Sequence, residues 1–154
     1  MSNQFSKIIS TGSYLPEKTL TNHDLEKLVD TSHEWIFERT GINQRHIANE
    51  KESSVDMAYN ASLISIERSG KSLEEIDMII VATTTPERVF PSTAVLLQNK
   101  LGIEDCFAFD INAACTGFIY ALDIADKYIR NNSVANVLVV GTEKMSTLVD
   151  WNDR

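Results

Sequence analysis

The chain has 154 residues, of which 43% are hydrophobic and 23% are charged, and its formal net charge is −8. These values predict a globular domain with a hydrophobic core, and the acidic balance argues against binding to nucleic acid or to an anionic membrane. No apolar run is long enough to span a bilayer, and the amino terminus lacks the features of a secretory signal, so we expect a cytoplasmic protein.

Two short elements are predicted at the start of the chain. Residues 7–16, "KIISTGSYLP", predict a strand that ends in a turn. Residues 21–29, "TNHDLEKLV", predict a helix capped by Thr21 or Asn22. The buried face of this helix would consist of Leu25, Leu28 and Val29.

Two further helices are predicted next. Residues 31–41, "TSHEWIFERTG", predict a short helix closed by its final glycine, and residues 42–48 predict an extended segment. Ser53 or Ser54 would cap a long amphipathic helix that ends at Gly70. Its apolar face would comprise Val55, Ala58, Tyr59, Leu63 and Ile66.

Strands and helices alternate over the rest of the chain. Met78–Ala82 is a continuous apolar run, typical of a strand that is covered on both faces, as parallel strands are. Residues 91–102 predict a helix, residues 106–113 a strand, residues 115–130 another helix and residues 136–144 a third buried strand. This alternation predicts an α/β fold with a parallel or mixed core sheet.

The predicted helix over residues 115–130 carries all of its charges in its second half. Residues 115–122 contain none, and a helix surface that is apolar on every side must be covered on every side. The other predicted elements can cover one side only. We therefore expect a missing partner, which would be a second half of the same protein, another subunit, or both.

The two cysteines have different settings. Cys106 opens a predicted strand, where a thiol usually packs as a small hydrophobic side chain. Cys115 lies where a strand ends and a helix begins, so the helix dipole and free N–H groups would favour its thiolate. Its small neighbours, Ala113, Ala114 and Gly117, leave room for a substrate. The residues alone leave an activated nucleophile and a buried structural cysteine equally open.

Other kinds of site find little support in the sequence. The chain has no CxxC, HExxH or His/Cys cluster, so no metal site is expected, and two cysteines do not make a disulfide framework. The phosphate-binding patterns GxGxxG and GxxxxGKS/T do not occur. His23, His33 and His46 are interpreted as surface or loop residues without a catalytic role.

Four blocks follow one another along the chain: "TSHEWIFERTGINQRHIA", "VATTTPERVFPSTA", "DINAACTGFIYAL" and "VLVVGTEKMS". Together they resemble the amino-terminal half of β-ketoacyl-acyl-carrier-protein synthase III, of the thiolase-like superfamily. The resemblance implies a thiolase-like fold, one half of a duplicated layered α/β/α/β/α architecture. Since complete family members are about twice as long, it also implies that residues 1–154 carry the nucleophile and that the carboxy-terminal half is absent from this chain.

The resemblance implies a condensing enzyme that starts fatty-acid synthesis. An acetyl group would pass from acetyl-CoA to Cys115, and a decarboxylative Claisen condensation with malonyl-acyl-carrier protein would follow. The histidine and asparagine that stabilise the enolate lie in the second half of the family. Residues 1–154 alone are therefore expected to acylate Cys115 weakly at most and not to condense. No cofactor is implied, because acetyl-CoA is a substrate.

The resemblance also assigns residues to CoA binding. Trp35 matches the tryptophan that stacks on the adenine, and Arg39, one turn along the same helix face, matches a phosphate contact. Thr31 matches a nearby polar contact, and Arg154 matches an arginine on the other face of the adenine.

Two further positions, Phe90 and Met145, match residues that line the acyl pocket. The family residue at Phe90 reaches across a subunit interface, so a homodimer is implied. The carrier protein is acidic and so is this half. A basic docking patch would therefore lie in the missing half.

Two alternatives remain. Another thiolase-like condensing enzyme, of the hydroxymethylglutaryl-CoA synthase or the quinolone or polyketide starter type, would use the same cysteine and fold. A non-catalytic α/β ligand-binding module would hold Cys115 as a structural residue.

Overall fold

The computed structural model describes residues 5–153, whose contacts divide the chain into two units. The small unit comprises Leu15–Glu52 and the residues from Lys144 onward. The large unit comprises the residues up to Tyr14 and Ser53–Glu143. No helix within residues 5–153 is both long and apolar enough to cross a membrane.

A two-stranded antiparallel sheet organises the small unit. β1 (Thr19–Thr21) pairs with β2 (Gln44–His46), and Thr19 lies opposite His46. The strand β2 falls inside the segment that was predicted to be extended, residues 42–48, which confirms that prediction.

Two short helices connect these strands, α1 (Asn22–Leu25) and α2 (His33–Thr40). The Ser32 side chain caps α2 by accepting a hydrogen bond from the backbone N–H of Trp35. Gly41 ends the helix in a left-handed conformation, with φ 69°. The predicted bounds of α2 are therefore confirmed.

The helix predicted over residues 21–29 is capped by Thr21 as predicted but is much shorter than expected, and its predicted apolar face is wrong at Leu28. Leu28 is exposed, whereas Asn22 is fully buried. The Asn22 amide donates to the carbonyl oxygen of Ile42 at 2.7 Å and accepts from the Arg45 guanidinium at 2.9 Å. These contacts satisfy a buried polar side chain, so tertiary hydrogen bonds replace the expected packing of leucines.

Three parallel strands form the sheet of the large unit. β3 (Met78–Ala82) lies in the centre, between β4 (Phe107–Ile111) and β5 (Val137–Gly141). β3 is buried along its whole length, as its apolar run predicts. The third strand was also predicted to be buried, but in β5 only Val140 is, because β5 lies at an edge of this sheet.

Three helices pack on the two faces of this sheet. α3 (Ser54–Ser69) and α4 (Thr93–Leu101) share a core with Ile79 and Val81 of β3. α5 (Gly117–Arg130) packs on the other face. Because successive side chains of a strand point to opposite faces, the second core contains the alternate β3 residues. It consists of Met78, Ile80, Ala121, Ala125 and Val134.

The long helix α3 begins and ends where the sequence predicts. Ser53 is its cap and Gly70 ends it with φ 69°. Its buried face differs in part, because Leu63 is exposed and Ser62 is buried. The Ser62 hydroxyl is satisfied inside the helix, where it donates to the carbonyl oxygen of Ala58 at 2.7 Å.

The segment over residues 7–16 was predicted to be a strand, but it pairs with no strand among the described residues. It contacts α3 instead. The Ser10 and Ser65 hydroxyls lie 3.0 Å apart, and the Arg68 guanidinium donates to the carbonyl oxygen of Thr11. Gly12 approaches so closely that a Cβ atom there would lie 2.2 Å from the carbonyl oxygen of Ala61.

Candidate active site

Cys115 lies in a 3-10 turn that connects β4 to α5. The turn spans Ala114–Thr116, and α5 begins at Gly117. The helix therefore starts two residues later than predicted. The side chain is exposed. The turn follows the carboxyl end of a parallel strand, which is the side of open α/β sheets where ligands bind.

The backbone on both sides of Cys115 is tightly specified. Ala114 has φ 45°, in the left-handed region that favours glycine, and such strain persists only where surrounding contacts enforce it. The backbone N–H and hydroxyl of Thr116 both donate to the carbonyl oxygen of Ala113, at 3.2 and 2.8 Å. These two hydrogen bonds hold the turn that carries the thiol.

Two glycines let the start of α5 pack closely against the ends of the strands. A Cβ atom on Gly117 would lie 3.2 Å from the Cβ atom of Ala82, at the end of β3. A Cβ atom on Gly141, at the end of β5, would lie 3.3 Å from the Phe118 ring. The position of the Cys115 turn therefore depends on where β3 and β5 end.

Two carboxylates tie together the loops at this edge of the sheet, and the sequence analysis did not single out either as functional. Asp110 of β4 accepts hydrogen bonds from the backbone N–H groups of Thr93 and Ala94, at 2.8 and 2.7 Å. Glu143 accepts from Thr84 and Thr85. Both acids lie at or just beyond the end of a strand, which is a signal that the sequence offers.

Cys106 behaves as the sequence predicts for a structural thiol. It is half-buried and packs against the core formed by α3 and α4. Burial raises the pKa of its thiol, and the nearby carboxylates of Asp105 and Asp77 raise it further. Cys106 is therefore an internal reference for the reactivity of Cys115.

The predicted CoA-binding residues of α2 lie together in the small unit. The Arg39 guanidinium stacks over the Trp35 ring, with 4.5 Å from Cζ to the ring centroid. The hydroxyl of Thr31 is buried and has no hydrogen-bond partner among the described residues. Arg154, the fourth residue of this predicted set, lies outside the described residues.

The two predicted acyl-pocket residues belong to different units. Phe90 lies in the loop between β3 and α4 of the large unit, and 86% of its surface is exposed. Met145 begins a 3-10 turn, Met145–Thr147, in the small unit and is also exposed.

All three histidines lie in the small unit and have local partners. His23 and His33 stack with their ring centroids 4.8 Å apart, and His23 contacts the Glu26 carboxylate at 3.2 Å. His46 contacts the carbonyl oxygen of Pro16 at 2.6 Å. Within residues 5–153, no group of three or more His, Cys, Asp or Glu side chains could hold a metal ion.

Several known proteins are similar to this chain. The family model for 3-oxoacyl-(acyl-carrier-protein) synthase III matches residues 109–154, which contain Cys115. A β-ketoacyl-(acyl-carrier-protein) synthase III of Xanthomonas euvesicatoria pv. vesicatoria is 56% identical over 150 residues. The alignment covers 97% of this chain and 46% of that relative, so the chain spans about half the relative's length.

Solved structures agree with these matches. The crystal structure of 3-oxoacyl-(acyl-carrier-protein) synthase III from Aquifex aeolicus VF5 is 56% identical and superposes with a TM-score of 0.93, over 96% of this chain and 48% of that one. The priming β-ketosynthase of the R1128 polyketide biosynthetic pathway is 36% identical, with a TM-score of 0.95, over 99% of this chain and 46% of that one. The predicted resemblance is therefore confirmed: nearly the whole chain is similar to about half of each of these synthases, and it has a thiolase-like α/β fold.

Proposed function

We propose that residues 1–154 are the nucleophile-bearing half of a β-ketoacyl-acyl-carrier-protein synthase III that starts fatty-acid synthesis in the cytoplasm. The observation that carries this proposal is the setting of Cys115. Its thiol is exposed in a strained turn at the carboxyl end of a parallel strand, within the residues that the family model matches.

The first step is acyl transfer to Cys115. The thiolate attacks the carbonyl carbon of acetyl-CoA, a bond forms between this carbon and Sγ, and the thiolate of CoA leaves. The developing negative charge on the thioester oxygen requires N–H donors. The backbone N–H of Cys115 is our candidate for one of them.

The second step joins two carbon units. Malonyl-acyl-carrier protein loses carbon dioxide, and the resulting enolate attacks the acetyl carbonyl carbon on Cys115. The bond to Sγ breaks, which releases the ketoacyl product and restores the thiolate. Stabilising the enolate needs hydrogen-bond donors that the resemblance assigns to a histidine and an asparagine of a carboxy-terminal half.

Acetyl-CoA is proposed to bind at α2. Trp35 retains an exposed ring surface while Arg39 covers part of it, so an adenine can stack on the indole beside a guanidinium that attracts phosphate. The family match assigns Thr31 a polar contact with CoA, and its buried hydroxyl has no hydrogen-bond partner among the described residues. The family match assigns Arg154 to the other face of the adenine.

The exposed apolar surface of α5 is evidence that another polypeptide packs against this chain. Phe118, Ile119 and Tyr120 are all exposed at the start of this helix, as expected for a face that another polypeptide covers. We propose that the complementary carboxy-terminal half covers it, since the matched relatives are about twice as long as this chain. Phe90 and Met145 would line the acyl pocket, with Phe90 reaching a partner subunit of a homodimer.

Acetylation of Cys115 is the direct test of this function. A protein that contains residues 1–154 together with the proposed carboxy-terminal half, called the longer protein below, is incubated with acetyl-CoA. The modified residue is located by mass spectrometry of its peptides. We expect one acetyl group on Cys115 and none on Cys106. Cys115→Ser should abolish the label, while Cys106→Ala should retain it. Acetylation of neither cysteine, or of both equally, would contradict the proposal.

A second condensing activity is favoured by one comparison. The priming ketosynthase of the R1128 polyketide pathway has the same fold over almost the whole chain. A starter enzyme of that kind, or one acting like hydroxymethylglutaryl-CoA synthase, would use Cys115 in the same first step. Offering the acetylated protein malonyl-acyl-carrier protein or acetoacetyl-CoA separates these functions. We expect product only with the carrier protein.

The non-catalytic alternative predicts a different thiol chemistry. If Cys115 were only structural, iodoacetamide near neutral pH would modify it no faster than a free thiol such as glutathione. The proposed nucleophile should instead react faster than glutathione at the same pH. Selectivity over Cys106 alone does not separate the two cases, because burial raises the pKa of the Cys106 thiol in both.

A further inference from the structure

We propose that Glu143 is a positioning residue for the Cys115 turn. This inference rests on the proposed function, because it concerns the rate at which Cys115 becomes acylated. Glu143 acts from a distance, through the ends of β3 and β5, and has no assigned contact with a substrate.

The Glu143 carboxylate joins two loops at the sheet edge. Its Oε1 atom accepts from the backbone N–H of Thr84 at 2.8 Å and from the Thr84 hydroxyl at 3.1 Å. Its Oε2 atom accepts from the same hydroxyl at 3.1 Å and from the Thr85 hydroxyl at 2.6 Å. Hydrogen bonds to an ionised carboxylate are stronger than neutral ones, so this contact fixes the loop after β3 to the loop after β5.

Two backbone hydrogen bonds continue the pairing of the strands past their carboxyl ends, close to the Glu143 contacts. The N–H of Thr142 donates to the carbonyl oxygen of Ala82, and the N–H of Thr83 donates to that of Ile111, both at 3.1 Å. The second bond reaches β4, whose end leads into the Cys115 turn. The Glu143 contacts therefore complete a continuous hydrogen-bonded edge that includes all three strands of this sheet.

The Cys115 turn is sensitive to this edge because α5 starts directly on it. Gly117 is in close contact with Ala82, and Phe118 with Gly141. Glu143 holds together the loops that follow these same two strand ends. A loosened edge would let the start of α5 shift, and displacements of about 1 Å at a reacting group can cost on the order of a hundredfold in rate.

Glu143 has no competing local role that would explain its contacts. No lysine, arginine or histidine of residues 5–153 forms an ion pair with it, and it caps none of the helices α1 to α5. Its hydrogen bonds all go to the loop that follows β3. These observations favour a role in fixing that loop.

The test compares Glu143→Gln with Glu104→Gln in the longer protein. Both variants remove one carboxylate charge, but Glu104 is exposed and makes no side-chain hydrogen bond to a described residue. We expect Glu143→Gln to slow acetylation of Cys115 by on the order of tenfold. The KM for acetyl-CoA should be unchanged, because the proposed CoA contacts belong to the small unit. Glu104→Gln should match the wild type in both the acetylation rate of Cys115 and the KM for acetyl-CoA.

A second variant and a second readout keep the inference separate from the proposed function. Thr84→Val removes a hydroxyl partner of Glu143 and should slow acetylation in the same way, with little added effect in the double variant. Alkylation by iodoacetamide needs no substrate. The rate at Cys115, relative to the rate at Cys106, should therefore differ from wild type in both Glu143→Gln and Thr84→Val, even if the protein does not use acetyl-CoA. Equal Cys115 rates in Glu143→Gln, Thr84→Val and Glu104→Gln would overturn the inference.

Discussion

At the scale of single residues, buried or shared polar contacts determine much of the local structure. Asp56 shows this at the start of α3, where its carboxylate accepts from the Ser53 backbone and hydroxyl and pairs with Lys100. Burial alone would raise the pKa of Asp56. The hydrogen bonds from Lys100 and Ser53 outweigh it and lower the pKa from 3.8 to about 2.

Replacing Asp56 should therefore have a pH-dependent effect on stability. A carboxyl group whose pKa is lowered by folding stabilises the folded state above its unfolded pKa and loses this contribution as the pH falls toward the folded one. We expect Asp56→Asn to reduce the free energy of unfolding by about 0.5–1 kcal/mol at neutral pH. The difference from wild type should shrink between the pKa values of 3.8 and about 2. Urea unfolding across this range measures it, with Asp30→Asn as the exposed control.

Gly12 provides a second test at this scale. Any Cβ atom there would meet the backbone of α3 at Ala61 and Ser65, which cannot yield as a side chain can. We expect Gly12→Ala to lower the free energy of unfolding by about 1–3 kcal/mol, the usual cost of overpacking. The exposed neighbour Ser13→Ala should change it by less than about 0.5 kcal/mol. Equal thermal midpoints for the two variants would show that this segment does not pack on α3 as described.

At the scale of elements, the sequence predicts best where the signals are local. The caps and terminal glycines of α2, α3 and α4 lie beside the helices that they end, and the uniformly apolar run of β3 identifies a buried strand. The strand predicted over residues 7–16 does not form, and the helix predicted over residues 21–29 stops early, because distant partners decide their structure. Gly12 rests on α3, and Asn22 is held by the backbone of Ile42 and by Arg45.

In the candidate site, too, local patterns were visible in the sequence and contacts between distant segments were not. The local arrangement made Cys115 a candidate, because its thiol lies between a strand and a helix, but only the family resemblance assigned it the role of nucleophile. Trp35 and Arg39 were linked by the family resemblance together with helical spacing, and their stacking agrees with that spacing. The roles of Asp110 and Glu143 depend on which loops meet at the sheet edge. Their positions at strand ends are visible in the sequence, but their hydrogen-bond partners become apparent only from the arrangement of the strands.

The carboxylate of Asp110 gives a prediction about α4. It accepts hydrogen bonds from two backbone N–H groups at the start of that helix, those of Thr93 and Ala94. An asparagine keeps one acceptor and loses the charge, so Asp110→Asn should cost about 1.5–3 kcal/mol of unfolding free energy. Hydrogen exchange at Thr93 and Ala94 should accelerate. Asp105→Asn is the matched control, and similar exchange in both variants would contradict this account.

At the scale of the whole molecule, the central strand of the sheet is fully buried, but the start of α5 has an uncovered apolar surface. Met78–Ala82 is buried by helices on both faces, whereas Phe118, Ile119 and Tyr120 at the start of α5 are exposed. The charge-free first half of that helix predicted such a surface. Under the proposed function, Cys115 depends on the complementary half for the second chemical step.

Residues 1–154 alone should therefore not complete the reaction. Incubated with acetyl-CoA and malonyl-acyl-carrier protein, they should give no ketoacyl product, because the groups proposed to stabilise the enolate are missing. The longer protein should give product, and its Cys115→Ser variant should not. Mass spectrometry of the carrier protein measures all three. Product from the 154-residue chain would show that its own residues suffice.

The strand order β4-β3-β5 has a consequence for synthesis on the ribosome. The central strand forms its ladder with β4 first, since Phe107 follows Met78 sooner in the chain than Val137 does. Until Val137–Gly141 has left the exit tunnel, the other edge of Met78–Ala82 carries unpaired backbone groups on an entirely apolar strand. Such an edge invites association between nascent chains. Translation pauses that hold Val137–Gly141 inside the exit tunnel should therefore increase aggregation, and pauses after this segment has emerged should not.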